Sequence, residues 1–227
     1  MIYSDSLSVK FTPDLAEEIG WHIGDGSMNY YLQRGKPKGI YQLRGHIEDD
    51  KQHYLIRIKP IFEKIYNIKV ILREMPSTRV FGFQIWNDEI VDFKKQLGLP
   101  LGKKFELEIP KEFVNEKELL VSCIRGIFDT DGGLYLEKKN HKLYPRIYIT
   151  TISLRLVEQL TILFNSLGLR ATKWIDNYHP KGNRLKSYKV ETRGVEMLHK
   201  FFREIEPKNP KHILKYNRFL ESNQAKT

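Results

Sequence analysis

The sequence predicts an α+β protein made of two related halves, each running α-β-β-α-β-β-α. Three observations carry that prediction. A Gly-x4-Asp-Gly element occurs twice, as Gly20-Trp21-His22-Ile23-Gly24-Asp25-Gly26 and as Gly126-Ile127-Phe128-Asp129-Thr130-Asp131-Gly132, with Asp131 falling 106 residues after Asp25. Each copy closes an apolar stretch with helical periodicity. Each is then followed by the same succession of hairpin, helix, hairpin and helix signals.

The first helix has a clear start at Thr12 as cap, Pro13 in the first turn and Asp14 where the helix dipole favours an anion, and it is predicted to end near Gly24. Strands are predicted over 27–34 and 39–47, with Gly35-Lys36-Pro37-Lys38 as the turn. A helix over 49–66 follows, then strands over 68–75 and 78–86 and a helix over 88–97. The stretch Gly98-Leu99-Pro100-Leu101-Gly102-Lys103-Lys104 has linker composition, and Phe105 to Pro110 adds a short extended piece. In the second half Asn115 is the expected cap, with Glu118 completing a capping box, of a helix reaching Thr130. Strands over 134–139 and 143–151, a helix over 153–167, strands over 169–176 and 185–191 and a helix over 195–205 repeat the first order. A short helix over 212–221 ends the chain, giving a first half at 1–97, a linker at 98–114 and a second half at 115–227.

Composition narrows the function. The chain carries 38 Lys and Arg against 28 Asp and Glu, a net charge of +10 spread along its length, which suits a broad polyanion-binding surface. No apolar run approaches the ~18–20 residues of a membrane helix, and the first residues lack the pattern of a secretion signal. With one cysteine, Cys123, and no Cys/His cluster spaced for zinc, a reducing compartment is expected and any metal must be held by oxygen. The expected location is a prokaryotic cytoplasm or an organelle.

A single Asp-Gly after a helix is commonly a stop signal with glycine in the left-handed conformation. Two copies with matched small residues call for more. Gly20 and Gly24, and likewise Gly126 and Thr130, fall four apart on one helix face, so the two helices can cross closely and bring Asp25 and Asp131 together. A helix C-terminus is a poor place for a carboxylate, and two carboxylates repel. A hard divalent cation, Mg²⁺ or Mn²⁺, would offset both effects, and paired carboxylates with metal beside a polyanion imply phosphodiester chemistry.

Ile124 to Gly132 resembles the signature of the LAGLIDADG homing endonuclease family, and Glu18 to Gly26 resembles its shorter Gly-Asp-Gly variant. The resemblance implies a monomer with two four-stranded antiparallel sheets forming a DNA-binding saddle, and Asp25 and Asp131 as catalytic, metal-binding residues with Gly24 and Thr130 beside them. It implies a structural role for Asp129. His22, inside the helix, is expected to point elsewhere. A Lys or Gln near the metals is also implied, and aligning the last helices of the halves pairs Gln84 with Lys189 for that role.

On strands laid over DNA, polar residues should alternate with apolar ones. Asn29, Tyr31, Gln33, Gln42 and Arg44 in the first half and Arg146 and Tyr148 in the second are the expected base-side residues. Lys69, Arg73, Arg79, Lys138, Lys173 and Lys186 extend the set, and Lys36, Lys38, Lys181 and Arg184 in turns are expected to hold phosphates. The leading expectation is a sequence-specific, divalent-metal-dependent double-strand DNA endonuclease cutting a long asymmetric site. The alternatives are an intron maturase whose partner is intron RNA, and a non-catalytic DNA-binding regulator. The chain begins with Met and Ser222 to Thr227 lacks a splicing His-Asn, so an intein is not expected.

Overall fold

The computed structural model describes residues 9–140, 142–176 and 186–224. Helix α1 (Pro13–Gly24) starts where the Thr12 hydroxyl accepts the Leu15 amide at 3.2 Å, with Pro13 in the first turn. Strands β1 (Gly26–Gln33) and β2 (Lys36–His46) form a hairpin. Its turn is only Arg34-Gly35, both with positive φ, so Lys36 to Lys38 are strand residues rather than turn residues. A continuous helical stretch follows: α2 (Lys51–His53), a π turn at Tyr54–Ile58, and α3 (Lys59–Tyr66).

Strand β3 is shorter than the sequence pattern suggests, Arg73–Met75, because Val70 is taken by the preceding helix. Its amide donates to Glu63 at 2.7 Å and its carbonyl accepts Lys59 Nζ at 2.8 Å. Strand β4 (Val80–Trp86) and helix α4 (Asp88–Gln96) complete the first half.

The linker is tied down, not free. Leu107 exchanges two hydrogen bonds with Ser153, and Ile109 two with Gln159, so the expected extended piece pairs with side chains of a helix instead of with a strand. The expected start of the second motif helix is also corrected. Buried Phe113 draws Lys111–Val114 into a separate short helix, α5, which Asn115 ends; helix α6 (Lys117–Asp131) then starts at Glu116 with no side-chain cap.

Strands β5 (Gly132–Lys139) and β6 (Lys142–Thr151), helix α7 (Leu154–Ser166), strands β7 (Thr172–Asp176) and β8 (Ser187–Arg193) and helix α8 (Val195–Glu204) repeat the first half. Strand β7 is shortened as β3 is, here by Asn165 bonding both the amide and carbonyl of Ala171. Helix α9 (Pro210–Gln224) is longer than expected. Two antiparallel sheets result, ordered β1-β2-β4-β3 and β5-β6-β8-β7. Their registers match: Gly26, Leu43 and Phe83 lie abreast in one, Gly132, Ile149 and Val190 in the other.

Helices α1 and α6 cross backbone to backbone. A methyl group on Gly20 would lie 2.2 Å from the Cys123 carbonyl oxygen, and one on Gly126 would lie 2.2 Å from the Glu17 carbonyl oxygen. Around this crossing buried Glu17 binds Arg125 of α6 at 3.2 Å and Arg57 at 2.6 Å. Buried Glu18 accepts Lys94 at 2.7 and 2.8 Å and the hydroxyls of Tyr41 and Tyr66, which locks α1 onto the first half.

Because the crossing leaves no room for a side chain, Gly126→Ala should cost about 1–3 kcal/mol or more in denaturant unfolding. Gly35→Asn, at a turn with φ of +77° and no atom within 4 Å of the added carbon, should cost much less. Equal losses in the two variants would contradict the close approach.

Candidate active site

The close crossing fixes where the two helices end. A side chain on Gly24 would collide with the Thr130 hydroxyl and reach the Asp131 carboxyl carbon at 3.4 Å, so the last turns of α1 and α6 are side by side. Asp25 caps α1, its amide donating to the Trp21 carbonyl at 2.9 Å, and Asp131 is the last residue of α6. The glycine after each aspartate is not left-handed: at Gly132 φ is −90°, and added carbons at Gly26 and Gly132 would strike His22 and Phe128. These positions are glycine so that each strand can leave close against its helix.

Two lysines stand by the aspartates. Lys104, from the linker, donates to the carbonyls of His22 and Ile23 at 2.9 Å and to that of Gly24, closing the C-terminus of α1. Lys211, at the start of α9, binds Asp50 at 2.8 Å; Asn209 donates to the same oxygen at 2.8 Å, and the other oxygen accepts the His46 amide at 2.8 Å. Sequence reading missed both. Lys104 was hidden in a linker, and Lys211 lies 80 residues beyond the motif it serves.

The electrostatics follow from crowding. Burial pushes the Asp25 carboxyl well above its usual range, and the charges of Asp131 and Asp50 push it further; Lys211 and Lys104 pull the other way. The Oδ2 atom of Asp25 is buried with no hydrogen-bond partner. Asp131 keeps a face open to a cleft of about 360 Å³ lined also by Gly24, Lys104, Thr150 and Ser187. The protein packed round it raises its carboxyl to about 6 against the pull of Lys104 and Lys211. Burial lowers Lys104, while both aspartates raise it.

Among the described residues no set of three or more His, Cys, Asp or Glu is arranged to hold a metal alone. Two hard carboxylates, one with an orphaned buried oxygen and both unfavourably charged, nevertheless fit a divalent cation whose shell is completed by water and phosphate. The Gly24 carbonyl accepts Lys104, and the Thr130 hydroxyl turns back to the carbonyls of Gly126 and Ile127 at 3.0 Å, so both serve the helix crossing.

Asp129 lies away from the cleft. Fully buried, it accepts the Lys208 amide at 2.9 and 3.2 Å, and its carbonyl accepts Asn209 at 2.8 Å. It thereby fastens the segment that delivers Lys211. His22 stacks on Tyr41 with ring centres 5.5 Å apart and is held neutral by burial.

Residues 118–206 match the LAGLIDADG-like domain family. Among solved structures, the homing endonuclease I-DmoI in complex with DNA and Mn has a TM-score of 0.61 with 17% identity over 86% of this chain and 97% of that one. The LAGLIDADG meganuclease I-AabMI bound to uncleaved DNA has a TM-score of 0.59 with 14% identity, over 95% of this chain and 92% of that one. The whole chain therefore has the fold of the single-chain LAGLIDADG homing endonucleases. Among curated proteins, the replication factor C small subunit of Methanocaldococcus jannaschii is 27% identical over 161 residues, 71% of this chain but 8% of that protein. The chain thus spans under a tenth of that relative's length.

Each half presents one helix-free sheet face. In the first half, register places Asn29, Tyr31, Gln33, Lys36, Lys38, Gln42, Arg44, Arg73 and Gln84 on it, opposite in parity to buried Met28, Tyr41, Leu43 and Phe83. Lys69 joins Arg44, Arg73 and Gln84 in lining a groove of about 670 Å³ there. Arg79 sits at the exposed β3–β4 turn, 3.9 Å from Glu48. In the second half Arg146, Tyr148 and Lys189 share the open face, and Lys186 is exposed at the start of β8.

Lys138 and Lys173 do not share that face. They pair with Leu143 and Val190, which have helix-side parity, and Lys173 binds Glu158 of α7. Lys181 and Arg184 lie outside the described residues. The pairing of Gln84 with Lys189 is also corrected. Gln84 stands opposite Gln42, and the matching position in the second sheet, opposite Tyr148, is Glu191; Lys189 corresponds to Gly82. Gln84 bonds Gln42 and Arg44, and Lys189 lies over the Tyr148 ring at 4.8 Å.

For both aspartates the folded pKa is raised above the unfolded value of about 3.8, so their ionisation opposes folding. The stability they leave intact below pH ~4 falls as pH rises through the folded-state values. In EDTA at neutral pH, Asp25→Asn should therefore melt above the parent, by about 2–4 °C for each ~1 kcal/mol regained, and the gap should close near pH ~4. Mg²⁺ should raise the melting temperature of the parent and leave Asp25→Asn/Asp131→Asn unmoved. A lower melting point for Asp25→Asn in EDTA would refute the assigned strain.

Proposed function

We propose that this chain is a sequence-specific, divalent-metal-dependent double-strand DNA endonuclease that hydrolyses one phosphodiester in each strand of a long asymmetric site. The observation that carries the reading is the pairing of Asp25 and Asp131 at adjoining helix ends, with Lys104 and Lys211 beside them and an open sheet face in each half, bearing amides and basic groups in the first and basic and aromatic groups in the second. The solved relatives in complex with DNA, one of them with Mn, support it.

Asp25 and Asp131 would hold the cation. When bound, such a cation acidifies a coordinated water and neutralises phosphate charge. Lys104 has its three N–H groups committed to three carbonyls, so it would act on a scissile phosphate through its fixed positive charge. Lys211, fixed by Asp50, does the same on the Asp25 side. Asn29, Gln33, Gln42 and Arg44 are suited to purine edges, and Lys36 and Lys38, near the hairpin tip, to phosphates.

The test is cleavage of a duplex selected for binding from a randomised library. With Mg²⁺ the parent should cut both strands, and EDTA should abolish cutting. Asp25→Asn and Asp131→Asn should each stop cutting while binding persists; Lys104→Met should cut at least about tenfold more slowly, as expected for losing one fixed positive charge beside the phosphate. Tight binding of structured intron RNA with no cutting of any selected duplex would hand the reading to the maturase.

A further inference from the structure

The open faces of the two sheets differ at one matched position. Gln84 in the first accepts Arg44 at 2.8 Å and Gln42 at 3.0 Å through one amide oxygen. Glu191 occupies the equivalent place in the second, opposite Tyr148 and Thr172, and is only 4% exposed although it has the open-face parity. A carboxylate sunk into a surface that meets phosphates is unfavourable unless it holds cations.

It holds two. Arg193 Nε binds Glu191 Oε1, and Arg146 Nη1 lies 3.9 Å from the same oxygen. Arg146 Nη2 also binds Glu137, which in turn lies 2.9 Å from Lys139. The Arg193 guanidinium stacks over Trp174 at 4.8 Å from the ring centre, and about half of the Arg193 side chain is exposed. A free surface arginine loses rotamer freedom when it grips a base; these two are already held, so they would bind with less entropy lost. Their planar forks match the O6 and N7 acceptors of guanine, the commonest specific contact in the major groove.

We propose that Glu191 is a positioning residue that holds Arg193 and Arg146 to read guanine in the half of the target lying under the second sheet. The inference rests on the duplex-binding reading above.

The experiment is binding of the full-length chain, in EDTA so that nothing is cut, to a randomised duplex library with sequencing of the bound pool. The parent should select guanine at two positions in one half-site. Glu191→Gln, which makes the second sheet resemble the first, should weaken that selection about tenfold, the low end of what a bidentate contact discriminates, and leave the other half-site profile unchanged. Arg193→Lys keeps the charge and loses the fork, so it should lose one of the two guanines while non-specific affinity holds; it decides the matter if Glu191→Gln does not fold. Guanine selection that survives both variants, or flattening of both half-sites alike, overturns the proposal. A selective profile without guanine overturns it and leaves duplex recognition standing, whereas no duplex selectivity in the parent overturns both.

Discussion

The arrangement of the molecule depends on two backbones touching where Gly20 meets Gly126. Side chains usually hold packed helices 8–10 Å apart, but here an added carbon on either glycine would lie 2.9 Å from the other's Cα. That contact leaves little freedom to slide, so the ends of α1 and α6 must lie together. With the ends together, the strands that begin at Gly26 and Gly132 diverge from one place, and each sheet is built outward from it.

The same contact creates the electrostatic problem of the candidate site. Two helix C-termini and two carboxylates concentrate negative charge. The chain answers with fixed cations drawn from distant segments. Lys104 seals the end of α1, and Lys211 arrives through a chain of bonds from Asp129 to Lys208, Asn209 and Asp50. Neither lysine cancels the strain, since both aspartates stay raised. Asp129, the other acid of the second motif, thus acts by placing a lysine and not by touching the cleft.

What could be read from the sequence was whatever local chemistry determines. Thr12 and Pro13 set the start of α1, alternation set the strands, and the repeated small residues set the crossing. What could not be read depended on partners far along the chain. Val70 and Ala171 look like strand residues but are held by side chains of the preceding helices, and Asn115 ends a turn that only the burial of Phe113 explains. Face parity was misjudged at Lys138 and Lys173, because a basic residue on a strand says nothing of its side until the register is known. Gln84 and Lys189 were paired by helix alignment two residues out of step. Counting from the caps of the last helices, Asn87 and Gly194, instead pairs Gln84 with Glu191.

That correction changes how the halves compare. The backbone register is kept strand for strand, yet one matched position carries a neutral amide and the other a buried carboxylate with its own arginines. An amide oxygen can hold Gln42 and Arg44 loosely and leaves the first face without an acid among those contacts. The carboxylate binds its cations more strongly, because charge-assisted bonds are roughly twice as strong as neutral ones. A symmetric scaffold with unequal faces would suit the asymmetric duplex proposed above: under that reading the fold would bring one aspartate to each strand, and the chemistry of each sheet would distinguish one half of the sequence from the other. Symmetry in the backbone and asymmetry in the side chains are separable here because the helix crossing sets the first, while residues such as Glu191 set the second without touching the crossing.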